Sequence, residues 1–170
     1  EAQWNFLSNG TYRVTLSSAG AGKSRFGEID ITRPNDGVLA EANGIFFCLS
    51  DSERGKTWSP TYMPTRTIGD KSSVSVGGQA VIYEKTYEGV ASVLTVVVDP
   101  AAPVEVRELT LTNNRTTAAT ISVGACAEVV LARPEEALTH QNFQNLFLVS
   151  EAVFDGSGIV VSRSDSRNND

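Results

Sequence analysis

The acidic side chains are the first candidates for chemistry in this sequence, because paired carboxylates are the usual tools of glycoside cleavage and transfer. Glu128 is the most notable, since the other residues on its side of a predicted strand are small or apolar. An ion pair with a neighbouring arginine such as Arg107 explains Glu128 more simply than catalysis does. No recognisable acid motif surrounds any of the six acidic residues between positions 99 and 136, which are Asp99, Glu105, Glu108, Glu128, Glu135 and Glu136.

His140 is the only histidine in the chain. A catalytic triad or a zinc site needs several partners, and scattered acids do not supply them. We therefore expect a structural or surface histidine, no metal and no other cofactor. Cys48 and Cys126 cannot complete a zinc site without further ligands. Both lie in apolar strand-like runs, which favours two buried free thiols over a disulfide.

Residues 19–24 form a glycine-rich segment that imitates a phosphate-binding loop. That motif requires a glycine five residues before Gly22, where Ser17 stands, and a helix after the loop. The residues after Ser24 alternate like a strand, so no helix N-terminus is available to hold phosphate. We interpret the segment as a hairpin loop.

Residues 58–64 form a proline-containing loop that carries Trp58 and Tyr62. Sugars stack their C–H faces on flat rings, so these two side chains could form a carbohydrate surface. The same rings could equally cover the core, because both residue types serve in either role. Arg25 and Arg33 are further candidates for substrate binding, since guanidinium groups can bridge sugar hydroxyls. The sequence leaves sugar binding and core packing as alternatives at this loop.

The composition excludes several classes of partner. The chain has 170 residues, 14 of them basic and 20 acidic, and its net charge is −6. Without a cluster of basic residues, it is a poor candidate for nucleic acid or for an anionic membrane surface. The apolar runs are too short for membrane insertion, and the first residues lack the pattern of a signal peptide. We therefore expect a cytoplasmic protein or the cytoplasmic part of a membrane-tethered parent.

Alternating apolar and polar residues dominate the chain and predict ten or more short strands. Turn residues predict hairpins around Glu88-Gly89 and Asp155-Gly156. Evidence for helix is limited to one turn that Pro134 could begin. The pattern predicts an all-β fold, an antiparallel β-sandwich with few or no helices.

The segments 104–117 and 121–131 predict two further long strands, joined by a short polar turn at Asn113-Asn114. In the second strand, residues with odd numbers from Ile121 to Leu131 share one face. In the first, Val104 and Val106 are out of phase with Leu109 and Leu111. We therefore predict a β-bulge near residues 107–108, which would restore the register.

These segments, taken in order, resemble the N-terminal β-supersandwich domain of glycoside hydrolase family 94, formerly glycosyltransferase family 36. The resemblance is strongest to the phosphorylase-like region of cyclic β-1,2-glucan synthases and extends to cellobiose and chitobiose phosphorylases. The chain departs from the family after Arg33, where residues 34–37 replace an expected aromatic residue and arginine. The segments that carry the resemblance are residues 7–14, 19–26, 32–33, 58–64, 94–100, 104–113, 127–131 and 140–147.

The resemblance implies a galactose mutarotase-like supersandwich over residues 1–170, a truncated N-terminal module of a larger enzyme. In the family the catalytic acid lies in a separate α/α barrel. This domain packs on that barrel and helps to form the dimer. The expected role is that of a non-catalytic, carbohydrate-associated module of a β-glucan phosphorylase or cyclic glucan synthase-like glycosyltransferase. Its expected partners are a β-glucan or gluco-oligosaccharide and that barrel. The alternative is an independent carbohydrate-binding domain.

Overall fold

The computed structural model describes residues 3–34, 43–139, 145–153 and 155–164. These ranges contain fourteen β-strands, one short α-helix, α1 (Pro134–Thr139), and one 3₁₀ turn (Asn145–Phe147). In chain order the strands are β1 (Trp4–Ser8), β2 (Tyr12–Ser17), β3 (Gly22–Phe26), β4 (Ile29–Thr32), β5 (Ile45–Asp51), β6 (Lys56–Trp58), β7 (Lys71–Gly77), β8 (Ala80–Tyr87), β9 (Val90–Val98), β10 (Glu105–Asn113), β11 (Ile121–Ala127), β12 (Val129–Ala132), β13 (Leu148–Ala152) and β14 (Ile159–Arg163).

The described strands form three larger sheets and one two-stranded hairpin. The first sheet has the order β1-β2-β3-β4-β12, the second β10-β9-β8-β7, and the third β11-β5-β6. Strands β13 and β14 pair with each other. Every pairing is antiparallel. The predicted all-β antiparallel class is confirmed.

The second sheet packs face to face against the other two and so forms a sandwich. Val14 and Leu16 of the first sheet meet Val81 and Leu94 of the second in the largest apolar cluster. Leu49 and Trp58 of the third sheet meet Val90 of the second in another cluster. Each of these side chains that is withdrawn from water stabilises the fold by about 1.5–3 kcal/mol. Both clusters therefore lie on one face of the four-stranded sheet, between it and the other two sheets.

Both hairpins predicted from turn residues are confirmed. Strands β8 and β9 are joined at Glu88 and Gly89, whose φ angles are 50° and 76°. Two consecutive positive φ angles are what a two-residue turn needs to match the twist of its strands. Strands β13 and β14 pair in register around Asp155-Gly156, and Pro134 begins α1 as expected.

The predicted β-bulge near residues 107–108 is wrong. Strand β10 pairs with β9 without interruption, Arg107 opposite Val96 and Glu108 opposite Thr95. The apolar pattern shifts phase because Glu105 and Arg107 occupy inward positions and bind each other. Val106 instead points outward and is 45% exposed.

The strand predicted over residues 121–131 is divided at Glu128. Its first part, β11, pairs with β5 in the third sheet, and its second part, β12, pairs with β4 in the first sheet. Cys48 of β5 and Cys126 of β11 are free, but Cys126 is exposed and Cys48 is half-buried. The expectation of two buried thiols is therefore wrong for Cys126, which lies on the outer face of the third sheet. His140 lies outside the described residues.

None of the helices in the described ranges combines the length and apolar character needed to cross a membrane. In the same ranges, no group of three His, Cys, Asp or Glu side chains is arranged to hold a metal ion.

Candidate functional site

The connection between β6 and β7, residues 59–70, is called here the aromatic loop. Its backbone is fixed by Lys85 of β8, whose Nζ donates hydrogen bonds to the carbonyl oxygens of Ser59, Thr61 and Thr67 at 2.9, 3.0 and 2.6 Å. Lys85 is only 4% exposed. Burial lowers the pKa of this ammonium group, and the three carbonyl dipoles compensate for the water it has lost.

A second set of contacts holds the aromatic loop against the glycine-rich hairpin between β2 and β3. The backbone N–H of Met63 donates to the carbonyl of Ala19 at 2.9 Å. Gly20 lies so close to Thr61 that an added Cβ would be 2.3 Å from the Thr61 Cβ, and its φ is +92°. The glycine-rich segment is therefore a hairpin loop, and at Gly20 it needs glycine because the aromatic loop packs directly on it.

Trp58 ends β6 at the base of the aromatic loop and is fully buried. Its ring packs against Tyr87 with the two centroids 5.4 Å apart, and against Leu49 and Val90. The indole has no exposed face on which a sugar could stack. Of the two alternatives that the sequence left open, core packing describes Trp58 in this structure.

Tyr62 is the aromatic residue of the loop that is open to solvent, with a relative exposure of 45%. It borders a cleft of about 220 Å³ between the loop and the inner side of β7. Hydroxyl-bearing and apolar residues make up much of the remaining lining, among them Ser18, Thr67, Ile68, Ser72 and Val74. A flat ring beside several hydroxyls is an arrangement that can bind a polyhydroxylated ring.

The two candidate arginines lie elsewhere, on the first sheet and just after it. Arg25 of β3 places its Nε 3.5 Å from Oδ1 of Asp30, which is fully buried. Burial raises the pKa of the Asp30 carboxyl. Arg33 forms an ion pair with Glu128. Glu128 is therefore paired with an arginine as expected, but its partner is Arg33 and not Arg107.

The four residues predicted for substrate binding are thus not assembled into one site. Arg25 and Arg33 belong to ion pairs of the first sheet, and Trp58 belongs to the core, whereas Tyr62 is exposed on the aromatic loop. The sequence analysis did not identify Lys85. Its signal was available, because alternation along β8 puts Lys85 in the same inward row as Val81 and Tyr83.

The remaining acidic candidates have structural roles or face solvent. Oδ1 of Asp99 accepts from the N–H groups of Ala101 and Ala102 at 2.8 Å each and so closes a turn. Glu108 is exposed on the outer face of β10. Glu135 and Glu136 lie in the first turn of α1, where negative charge is favourable.

Glu105 stands at the centre of a buried network that joins the sheets. One carboxylate oxygen accepts from Arg107 Nε at 2.5 Å, and the other accepts from Ser24 Oγ at 2.5 Å and from the Tyr12 hydroxyl at 3.4 Å. Burial, followed by the charge of Glu105, raises the pKa of Tyr12 to about 12. Arg107 also donates to the carbonyl of Ile45 at 2.8 Å. This network fastens β10 to β2, β3 and β5.

Comparison with known proteins agrees with this architecture. Residues 1–170 match the family model described as glycosyl hydrolase 94, supersandwich domain. The chain is 33% identical over 158 residues to the cyclic beta-(1,2)-glucan synthase NdvB of Rhizobium meliloti (strain 1021), covering 93% of this chain and 6% of that protein. It is 32% identical over 113 residues to the 3-O-beta-D-glucopyranosyl-beta-D-glucuronide phosphorylase of Paenibacillus borealis, covering 66% of this chain and 14% of that protein. The matched regions are therefore small parts of both relatives.

Proposed function

Because this chain belongs to the family of glycosyl hydrolase 94 supersandwich domains, we propose that it is a non-catalytic, carbohydrate-associated module. The parent enzyme in this proposal is a β-glucan phosphorylase or a cyclic glucan synthase-like glycosyltransferase, and the module packs on its α/α-barrel catalytic domain. The names of the two relatives, a glucan synthase and a phosphorylase, support the class of parent. The small share of each relative that the chain matches supports a role as one module among several.

The observation that carries the packing proposal is the uncovered inner side of β11. Leu49 of β5 is fully buried, yet Val123, directly opposite on β11 and on the same side of the sheet, is 51% exposed. Every residue of β11 from Ser122 to Ala127 is exposed. The inner side of β11 carries exposed apolar residues such as Val123. Such a side is expected where another domain covers the strand.

The packing proposal is tested in a chain that carries this domain together with its barrel. Val123→Arg should loosen the contact between the two domains, seen as faster proteolysis between them and as lower activity. Val76→Arg is the matched control, because Val76 is 56% exposed on the edge strand β7. Equal protease resistance of the two variants would contradict the packing proposal.

The non-catalytic role is tested with the 170-residue chain alone. Incubated with phosphate and cellobiose, or with phosphate and a β-1,2-linked glucobiose, it should release no glucose 1-phosphate. Release of that product above a heat-denatured control would contradict the proposal, since this chemistry requires a positioned general acid.

A second candidate function is an independent carbohydrate-binding domain. The observation that favours it is the exposed Tyr62 ring beside a hydroxyl-lined cleft. Saturable binding of gluco-oligosaccharides by the isolated chain would support this candidate. The two candidates differ in whether the module recognises glycan by itself or only completes the parent enzyme.

A further inference from the structure

The cleft between the aromatic loop and β7 is separate from the residues that the sequence suggested for sugar contact. Its size, about 220 Å³, lies below the roughly 300–1,000 Å³ typical of sites for drug-sized ligands. A cleft of this size suits one sugar ring better than a long oligosaccharide. We propose that it is a subsite for a single neutral glucosyl unit, with Tyr62 stacked on one face of the ring.

The lining matches the two chemical characters of a pyranose. Tyr62 offers an exposed aromatic face, and Val74 adds an apolar surface, both suited to the C–H face of the sugar. Ser72 offers a hydroxyl, which can donate and accept at the same time, and Thr67 Oγ1, which already donates to Thr65 Oγ1, can still accept. Among the described residues, the Ser72 side chain has no hydrogen-bond partner, so it is available to a ligand hydroxyl.

The charges at the cleft favour a neutral ligand over a sugar phosphate. Lys85 lines the cleft, but its ammonium group already donates to three backbone carbonyls. Glu84 borders the cleft, but it alternates with Lys85 along β8, so its carboxylate lies on the opposite face of the sheet, where it accepts from Ser73 Oγ at 2.8 Å. A phosphate would therefore find no free cation in the lining, whereas a neutral sugar needs none.

The aromatic loop is held in place before any ligand arrives. Lys85 binds the carbonyls on both sides of Tyr62, at Thr61 and at Thr67, and the Met63 N–H binds Ala19. A ring fixed in advance loses little conformational freedom on binding, which favours affinity. Lys85 is thus a positioning residue for Tyr62. Its buried ammonium group binds backbone carbonyls of the loop and not a carboxylate.

The inference rests on the proposed carbohydrate-associated function. Calorimetric titration of the folded 170-residue chain distinguishes failure of the Tyr62 subsite from failure of that function. The probes are β-1,2-, β-1,3- and β-1,4-linked glucobioses and glucose 1-phosphate. Tyr62→Ala should weaken glucobiose binding by about tenfold or more, and Tyr62→Phe should stay within about twofold, because stacking and not the hydroxyl is required. Ser72→Ala should weaken it by about threefold to tenfold.

Phe26→Ala is the matched control, because Phe26 is also 45% exposed but lies on the first sheet next to Arg25. It should leave the affinity unchanged. Glucobiose binding that resists Tyr62→Ala and is lost in Phe26→Ala or Arg25→Ala would overturn the inference while supporting the carbohydrate-associated function. Tighter binding of glucose 1-phosphate than of every glucobiose would also overturn it. Absence of binding by any probe would overturn both the subsite and the independent carbohydrate-binding function.

Discussion

The Lys85 ammonium group donates a 3.0 Å hydrogen bond to the carbonyl of Thr61, the residue immediately before Tyr62. Strand β8 therefore controls the position of an exposed aromatic ring that the aromatic loop alone would leave free. The same ammonium reaches Ser59 and Thr67, so one side chain fixes the loop at three points. Such a clamp links the rigid sheet to the surface on which we propose sugar recognition.

Lys85→Met should free the aromatic loop. The variant removes the donor from carbonyls that remain buried, so the free energy of unfolding should fall by about 1–3 kcal/mol. Amide hydrogen exchange should accelerate in residues 61–67 more than in β9. Glucobiose affinity should fall by about threefold to tenfold, because the Tyr62 ring must then be ordered on binding.

Lys71→Met is the control for this prediction, because Lys71 is an exposed lysine at the start of β7. It should change the free energy of unfolding by no more than about 0.5 kcal/mol and leave exchange in the loop unaltered. Equal exchange rates in the loop for Lys85→Met and wild type would contradict the role given to Lys85.

Glu105→Leu should destabilise the domain by about 3–5 kcal/mol, because the buried Arg107 guanidinium would lose its counter-charge. The double variant Glu105→Leu/Arg107→Met removes both charges and should be more stable than the single variant. Chemical denaturation measures both. Glu108→Leu, at the exposed neighbouring position, is the control. A double variant that is less stable than Glu105→Leu would contradict this account of the network.

Asp51 should make the domain sensitive to acid. A hydrogen bond from Arg115 to Oδ2 of Asp51, 2.6 Å long, holds the pKa of this carboxyl below its ordinary value. As the pH falls, the Asp51 carboxyl of the unfolded chain is therefore protonated first. The stability that ionised Asp51 contributes is complete above its pKa in the unfolded chain, and it is lost as the pH falls through its pKa in the folded protein. In Asp51→Asn the stability should be lower at neutral pH, and its difference from wild type should shrink below about pH 4. Parallel stability curves from pH 7 to pH 2.5 would contradict this.

Trp58→Ala should lower the free energy of unfolding by about 3–5 kcal/mol, since it empties a fully buried site. Trp4→Ala, which removes an indole that is 40% exposed, should cost much less. Glucobiose affinity of the folded Trp58→Ala protein should equal that of wild type. A loss of affinity without a loss of stability would restore Trp58 as a sugar contact.

Local pattern was enough to predict the class of fold and the hairpins. The turn at Glu88-Gly89 could be predicted because positive φ at two successive residues restricts the residue types that fit. Alternation gave the wrong register for β10. Glu105 and Arg107 are charged, so the pattern assigns them to the outer face, whereas they point inward and pair with each other. The pattern also could not show that β10 and β11 belong to different sheets, since alternation identifies faces and not neighbouring strands.

The candidate site was predicted only in part, for a similar reason. The sequence placed the aromatic residues Trp58 and Tyr62 in one loop. Which of the two is exposed depends on how β6 packs against β9. The other side of the cleft is formed by Ser72 of β7. Strand β7 pairs with β8 and not with the aromatic loop, and its residue types do not mark it as part of a site. Contacts of this kind arise from tertiary packing, which local sequence does not specify.

The most direct test of the carbohydrate-associated role is an NMR titration of the isolated chain with β-1,2-linked gluco-oligosaccharides, with cellobiose for comparison. We expect saturable chemical-shift changes confined to the aromatic loop and the start of β7, around Tyr62 and Ser72. A well-dispersed spectrum that does not change at saturating glycan would contradict recognition of sugar by this domain.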